Sequence, residues 1–237
     1  MNRFIILCLL LGQWATVNAQ KPTLSPTGSW QQTAPDGSKR LLMISDTYLI
    51  ETVFTPTHFI STRGGTWKRT GGYLSLIVEF DSQDSSRVGF TELSRLDLQP
   101  TELGVSTNAG ARTFRRVDQP AQGAVLCGLW RITSRANEAG QQTPMAAGPR
   151  KTLKLLTGTR FQWVAINPET RQFSGTGGGT YTLTRGQYTE TIDFFSRDDS
   201  RVGRSLTFGA EAGPTEWHHT GTSSTGGRVD EVWRREP

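Results

Sequence analysis

Glu190 and His219 are the side chains in this sequence best suited to acid-base chemistry, provided the chain folds so that both face one enclosed space. Within YTETIDFF, Tyr188, Glu190, Ile192 and Phe194 share one parity, so an extended strand sends the carboxylate in among apolar neighbours. There it is either a core carboxylate satisfied by an Arg or Tyr, or the polar anchor of a bound ligand. The same parity joins Trp217 to His219 and Phe161 to Trp163. With Tyr181 they make an inward aromatic set, Phe161, Trp163, Tyr181, Tyr188 and Trp217, that forms either a packed plug or the wall of a cavity. No GxSxG and no Cys-His arrangement supports a nucleophile, so the expectation is binding without catalysis.

Other motifs give way to plainer readings. His218 and His219 are adjacent, so on a strand they face opposite sides and cannot chelate one ion; no metal or cofactor is expected. Gly175 to Gly179, GTGGG, lacks the Lys-Ser or Lys-Thr and the following helix of a phosphate loop, and reads as a tight or bulged hairpin. Asp198 and Asp199 with Ser200 could touch calcium, but they suit a capped turn better.

The elements that must position these residues are short and extended. Aromatic and Thr-rich runs alternate with Asn-Pro, Gly-Gly and Arg-Gly punctuation from Phe161 to Gly203, and helical periodicity is nearly absent. The unit occurs twice. Gly28-Ser29-Trp30 is echoed by Gly128-Leu129-Trp130, Gly64-Gly65-Thr66-Trp67 by Gly178-Gly179-Thr180-Tyr181, and Asp84-Ser85-Ser86-Arg87-Val88-Gly89 by Asp198-Asp199-Ser200-Arg201-Val202-Gly203. Both halves end in an aromatic residue and two arginines, Phe114-Arg115-Arg116 and Trp233-Arg234-Arg235. Glu190 has no copy in the first half, where Ser75 reads as the nearest equivalent. Residues 20–118 and 128–237 are therefore read as two domains joined by a linker at 119–127. The segment from Asn137 to Pro149 reads as a long hairpin loop able to serve as a lid.

Arg3 followed by the apolar run Phe4 to Leu11, then Val17-Asn18-Ala19, reads as a secretory signal peptide over 1–19, too short to span a bilayer. The expected product starts near Gln20 and is secreted or periplasmic, not an integral membrane protein. Losing Cys8 with the leader leaves Cys127 alone, so packing and not a disulfide must hold the fold. Basic and acidic residues are interspersed, which argues against a nucleic-acid partner.

A Gly-x-Trp on a first strand with an Arg on the last resembles the pattern of lipocalin or calycin barrels, and both halves carry it: Gly28, Trp30 and Arg115 or Arg116; Gly128, Trp130 and Arg234 or Arg235. Arg115 and Arg234 are taken as the closing pair. The second half resembles secreted bacterial lipocalin-like domains through FxW, GxGGGTY, YTExIxxFS, DxSxVG, WxHxG and EVWxR. That family brings a fold and no assigned activity. The resemblance implies an all-β chain of two tandem lipocalin-like antiparallel barrels, the second better able to keep a cavity. The expected ligand is small and mostly apolar, held in a barrel lumen. The alternative is a structural or protein-interaction module with filled barrels. Nothing in the sequence bears on oligomeric state.

Overall fold

The computed structural model describes residues 24–121 and 124–236; the expected leader lies outside them. The first barrel is β1 (Gly28–Thr33), β2 (Lys39–Ile44), β3 (Tyr48–Phe54), β4 (Phe59–Thr70), β5 (Tyr73–Asp81), β6 (Thr91–Leu98), β7 (Glu102–Thr107) and β8 (Gly110–Asp118). Each strand pairs antiparallel with the next, and β8 returns to β1. The second sheet is β9 (Gly128–Ala136), β10 (Gln142–Pro144), β11 (Lys151–Leu156), β12 (Arg160–Asn167), β13 (Gln172–Thr184), β14 (Gln187–Phe195), β15 (Ser205–Ala212), β16 (Glu216–Thr222) and β17 (Arg228–Arg235). It closes where β17 pairs with β9. Eight strands wound up and down into a closed cylinder are the lipocalin-like architecture, and this chain has two.

The DxSRVG segments form the expected capped turns. Asp84 accepts from the Ser86 N–H and Asp198 from the Ser200 N–H, each opening a one-turn 3-10 helix. The chain then leaves through Gly89 at φ +92° and Gly203 at φ +83°, a left-handed geometry that suits glycine.

Two local expectations are corrected. Gly175 to Gly179 are not a hairpin turn but the interior of β13, which is bulged between Gly178 and Gly179. A Cβ on Gly179 would stand 1.9 Å from the Thr191 carbonyl oxygen, so the run of glycines serves close backbone approach. The Asn137 to Pro149 loop contains β10, which folds back along β9.

The barrels are not beads on a linker. β2 is apolar at every position of its inner half because it is covered on both faces: Leu42 and Ile44 enter the first lumen, while Leu41 and Met43 face the second barrel. There they meet Leu153 and Leu155, their counterparts on β11, and Phe80 joins its counterpart Phe194 in the same cluster. Like surfaces meeting in this way is the logic of a two-fold dimer built within one chain. Gln162 sits inside this seam, donating through Nε2 to Thr62 Oγ1 (3.1 Å) and Thr176 Oγ1 (3.0 Å) and accepting from Thr52 Oγ1 (2.9 Å). Asp118 adds a clamp, its Oδ1 accepting from Ser29 N in the first barrel and its Oδ2 from Thr159 N in the second.

Candidate functional site

The rim of the first barrel is built where β3, β4 and β5 reach the open end. Glu51, Arg63 and Asp81 are direct cross-strand partners there, and alternation turns Glu51 to the same side as the lumen residue Leu49. An ion-pair chain results. Arg40 Nη1 lies 2.6 Å from Glu51 Oε1 and Arg63 Nε 2.7 Å from Glu51 Oε2; Arg63 also binds Glu92, Glu92 binds Arg87, and Arg87 reaches Asp81 at 3.1 Å. Burial opposes the charge on Glu51, but the guanidinium groups of Arg63 and Arg40 outweigh it and hold the carboxyl below its ordinary value.

This rim borders a half-open cavity of about 570 Å³. Beneath it lies a space of about 40 Å³ with an aliphatic floor that includes Leu42, Leu49, Leu74 and Leu76. Arg112, at the start of β8, lines both spaces and has no hydrogen-bond or ion-pair partner among the described residues. The volume falls within the range of small-molecule sites.

The second barrel treats the same stations differently. Trp163, Gly177 and Phe195 pair across the sheet as Glu51, Arg63 and Asp81 do in the first. Trp163 meets Phe195 edge to face at 5.6 Å, and a Cβ on Gly177 would collide with both rings. Behind this aromatic lid the structure brings Phe161, Tyr181, Tyr188, Glu190, Trp217 and His219 into one lumen, leaving Trp163 at its mouth. Tyr188 touches the rings of Phe161, Tyr181, Trp217 and His219 at centroid spacings of 5.1–6.5 Å, and Tyr188 and Trp217 are fully buried. The aromatic set thus packs ring against ring, and the two cavities described above belong to the divergent first half.

The charged partner of Glu190 is a lysine and not an arginine, and the Tyr188 hydroxyl beside the carboxylate is held well above its ordinary pKa by burial first and then by Glu190. Lys154 Nζ, from β11, lies 2.8 Å from Glu190 Oε1 and 5.1–5.7 Å from the ring centres of Phe161, Tyr188, Trp217 and Trp233. Tyr181 faces Glu190 across the sheet as Trp67 faces Leu76, so Leu76, not Ser75, is the first-barrel equivalent. His219 makes no hydrogen bond to Glu190; the carboxylate nearest its ring is Glu231, at 3.8 Å from Nδ1. Burial first, then the charge of Lys154, pushes His219 below its ordinary value. His218 points outward to Asp230 at 2.9 Å, and among the described residues no three His, Cys, Asp or Glu side chains gather as metal ligands.

At the closed ends the geometry repeats, with a one-residue correction. Arg116 stacks over Trp30 at 3.8 Å and Arg235 over Trp130 at 4.2 Å, whereas Arg115 and Arg234 point to solvent. Each indole N–H donates to a carbonyl four residues back, Pro26 or Leu126. Gly28 and Gly128, at φ +114° and +126°, leave no room for a side chain beside Asp118 and Arg235. Cys127 donates its thiol to the Thr157 carbonyl, and burial pushes the thiol pKa up.

No family model matches the chain, and no curated protein does. Among solved structures, a lipocalin-like protein from Bacteroides uniformis is similar at 13% identity over 47% of this chain and 99% of its own, with a TM-score of 0.34. The DNA polymerase III β subunit from Thermotoga maritima shows 11% identity over 92% of this chain and 79% of its own, at a TM-score of 0.15. The fold assignment rests on strand pairing. No helix among the described residues is long and apolar enough to cross a membrane.

Proposed function

We propose that this is an exported binding protein whose first barrel takes a small amphiphilic molecule at its mouth, without catalysis. The observation that carries the reading is Arg112, a cation without a protein partner at the boundary between a 570 Å³ charged rim and an aliphatic floor. A ligand with an acidic end would meet Arg112, and its apolar end would be directed at Leu42, Leu74 and Leu76. The floor has room for only the tip of a chain, so the ligand is short or lies largely in the mouth. Export is inferred from the leader-like segment Met1 to Ala19.

The filled lumen and the Trp163-Phe195 lid favour a second role for the other barrel, as a scaffold that covers the outer wall of the first. The test is native mass spectrometry of protein from its own host, with calorimetric titration of octanoate and decanoate. An adduct or saturable heat that Arg112→Leu removes supports the reading. Neither adduct nor heat in the wild type, or binding indifferent to Arg112→Leu, overturns it.

A further inference from the structure

The outer wall of the first barrel differs from that of the second at the stations where the two could have been alike. Tyr73 and Ile77 on β5 and Leu93 on β6 project outward, and Phe90, whose carbonyl accepts from Val78 N, lies beside them. Their exposures are 57%, 46%, 66% and 63%, high for large apolar side chains grouped on one wall. The corresponding residues of the second barrel are Gln187, Thr191, Thr207 and Arg204, and its wall is tied by hydroxyl pairs, Thr189 with Thr207 and Thr191 with Ser205. Barrel packing therefore does not require apolar residues at these positions.

Two cations flank this apolar group. Lys68 on β4 is paired across to Ser75, which is paired to Leu93, and Arg95 is paired to Tyr73. Both cations are exposed and have no ion-pair partner among the described residues. The outward positions on β4 from Thr66 to Thr70, on β5 from Tyr73 to Ile77 and on β6 from Thr91 to Arg95 carry no carboxylate, and the first one met along β6 is Asp97, beyond Arg95 at the edge of the group. A second copy placed face to face would set Lys68 and Arg95 against cations of its own kind.

We propose that this wall docks on the surface of an anionic phospholipid bilayer, with Phe90, Leu93, Ile77 and Tyr73 entering the headgroup boundary and Lys68 and Arg95 meeting lipid phosphates. Leu93 also borders the rim cavity, so docking sets the mouth of the first barrel at the bilayer edge. The inference stands apart from ligand binding, since vesicle association is measured without a ligand.

The experiment is co-sedimentation with vesicles of phosphatidylcholine containing one quarter phosphatidylglycerol, and with phosphatidylcholine alone. The wild type is expected to pellet with the anionic vesicles and to release as salt rises. Phe90→Thr with Leu93→Thr, and separately Lys68→Thr with Arg95→Thr, should each weaken association at least tenfold, with near-ultraviolet circular dichroism unchanged. Thr207→Ser on the second barrel should leave it intact. No pelleting by the wild type, or pelleting unaffected by either pair of substitutions, overturns the proposal. So does a concentration-dependent doubling of mass that Phe90→Thr with Leu93→Thr abolishes, which assigns the wall to a second copy.

Discussion

Lys154 and Glu190 form an ion pair of 2.8 Å in the middle of the second barrel, at the two stations that Leu42 and Leu76 occupy in the first. One barrel fills these places with hydrocarbon and the other with opposite charges, within the same strand registers. Removing one partner leaves a buried charge without compensation, whereas replacing both with leucine reproduces the chemistry of the first lumen.

Lys154→Leu alone should therefore lower unfolding free energy by about 3–5 kcal/mol. Lys154→Leu with Glu190→Leu should recover most of that loss. Urea midpoints of the two variants and the wild type decide the matter. A mild single substitution would show that the pair is solvated and contributes little.

The stacked arginines give a second comparison. Arg235 donates to the carbonyls of Pro214, Cys127 and Val125 while its guanidinium lies over Trp130, and Arg116 does the same with Pro100, Thr27 and Ser25 over Trp30. A lysine cannot reproduce a planar, multiply donating cover. Arg235→Lys is expected to cost about 1–3 kcal/mol, for carbonyls left without donors. Arg234→Ala, which loses a solvent-exposed pair with Glu216, should cost well under about 1 kcal/mol. Thermal midpoints measure both, and equal effects would remove the distinction between the neighbours.

The repeat made much of this fold legible in the sequence. Turn chemistry, alternation and the spacing of Gly-x-Trp to the terminal arginines are local signals, and each survives in one chain. Which of two adjacent arginines faces inward depends on the bulges that shift β1 against β8 and β17 against β9, a cross-strand fact invisible along the chain. The rim site was concealed for another reason. Glu51 shares parity with Leu49, which marks it as inward, but Arg40, Arg63, Glu92 and Arg112 come from four other strands and meet only on closure. Lys154 likewise looked like one polar residue in TLKLL, whose other inward and outward positions give no hint of an acidic partner on β14.

Acid should loosen the second barrel before the first. The His219 ring lies among Phe208, Trp217 and Tyr188, and burial and Lys154 outweigh the pull of Glu231 and Glu190 to keep its pKa below the ordinary 6.5. The unfolded chain thus binds more protons below that value, and the stability that neutral His219 allows is complete above about pH 6.5 and declines as pH falls, by at most about 1.4 kcal/mol per unit. Glu51 and Glu231, both held below the ordinary 4.5, give up their contributions only at lower pH. The urea midpoint should fall between pH 7.5 and pH 5.5, and His219→Phe should remove most of that fall. A variant that tracks the wild type at both values would assign the acid sensitivity elsewhere.

The seam between the barrels implies that neither half is a free-standing unit. Leu41, Met43, Ile50, Phe54 and Phe80 cover Leu153, Leu155, Val164, Ile166 and Phe194, and each such side chain contributes on the order of 1.5–3 kcal/mol when buried. A half expressed alone, residues 20–118 or 124–237, exposes that face as one contiguous apolar patch. Each is expected to aggregate or to bind 1-anilinonaphthalene-8-sulfonate strongly, and the two produced together should assemble one to one without the linker. Within the intact chain, Gln162→Ala removes one hydrogen-bond partner each from Thr52, Thr62 and Thr176 at the centre of the seam, which keep one another and the Glu51 and Trp163 carbonyls, and should cost about 1–3 kcal/mol. Two soluble, monomeric, dye-silent halves would mean that the apolar outer walls close on themselves and that the seam is incidental to stability.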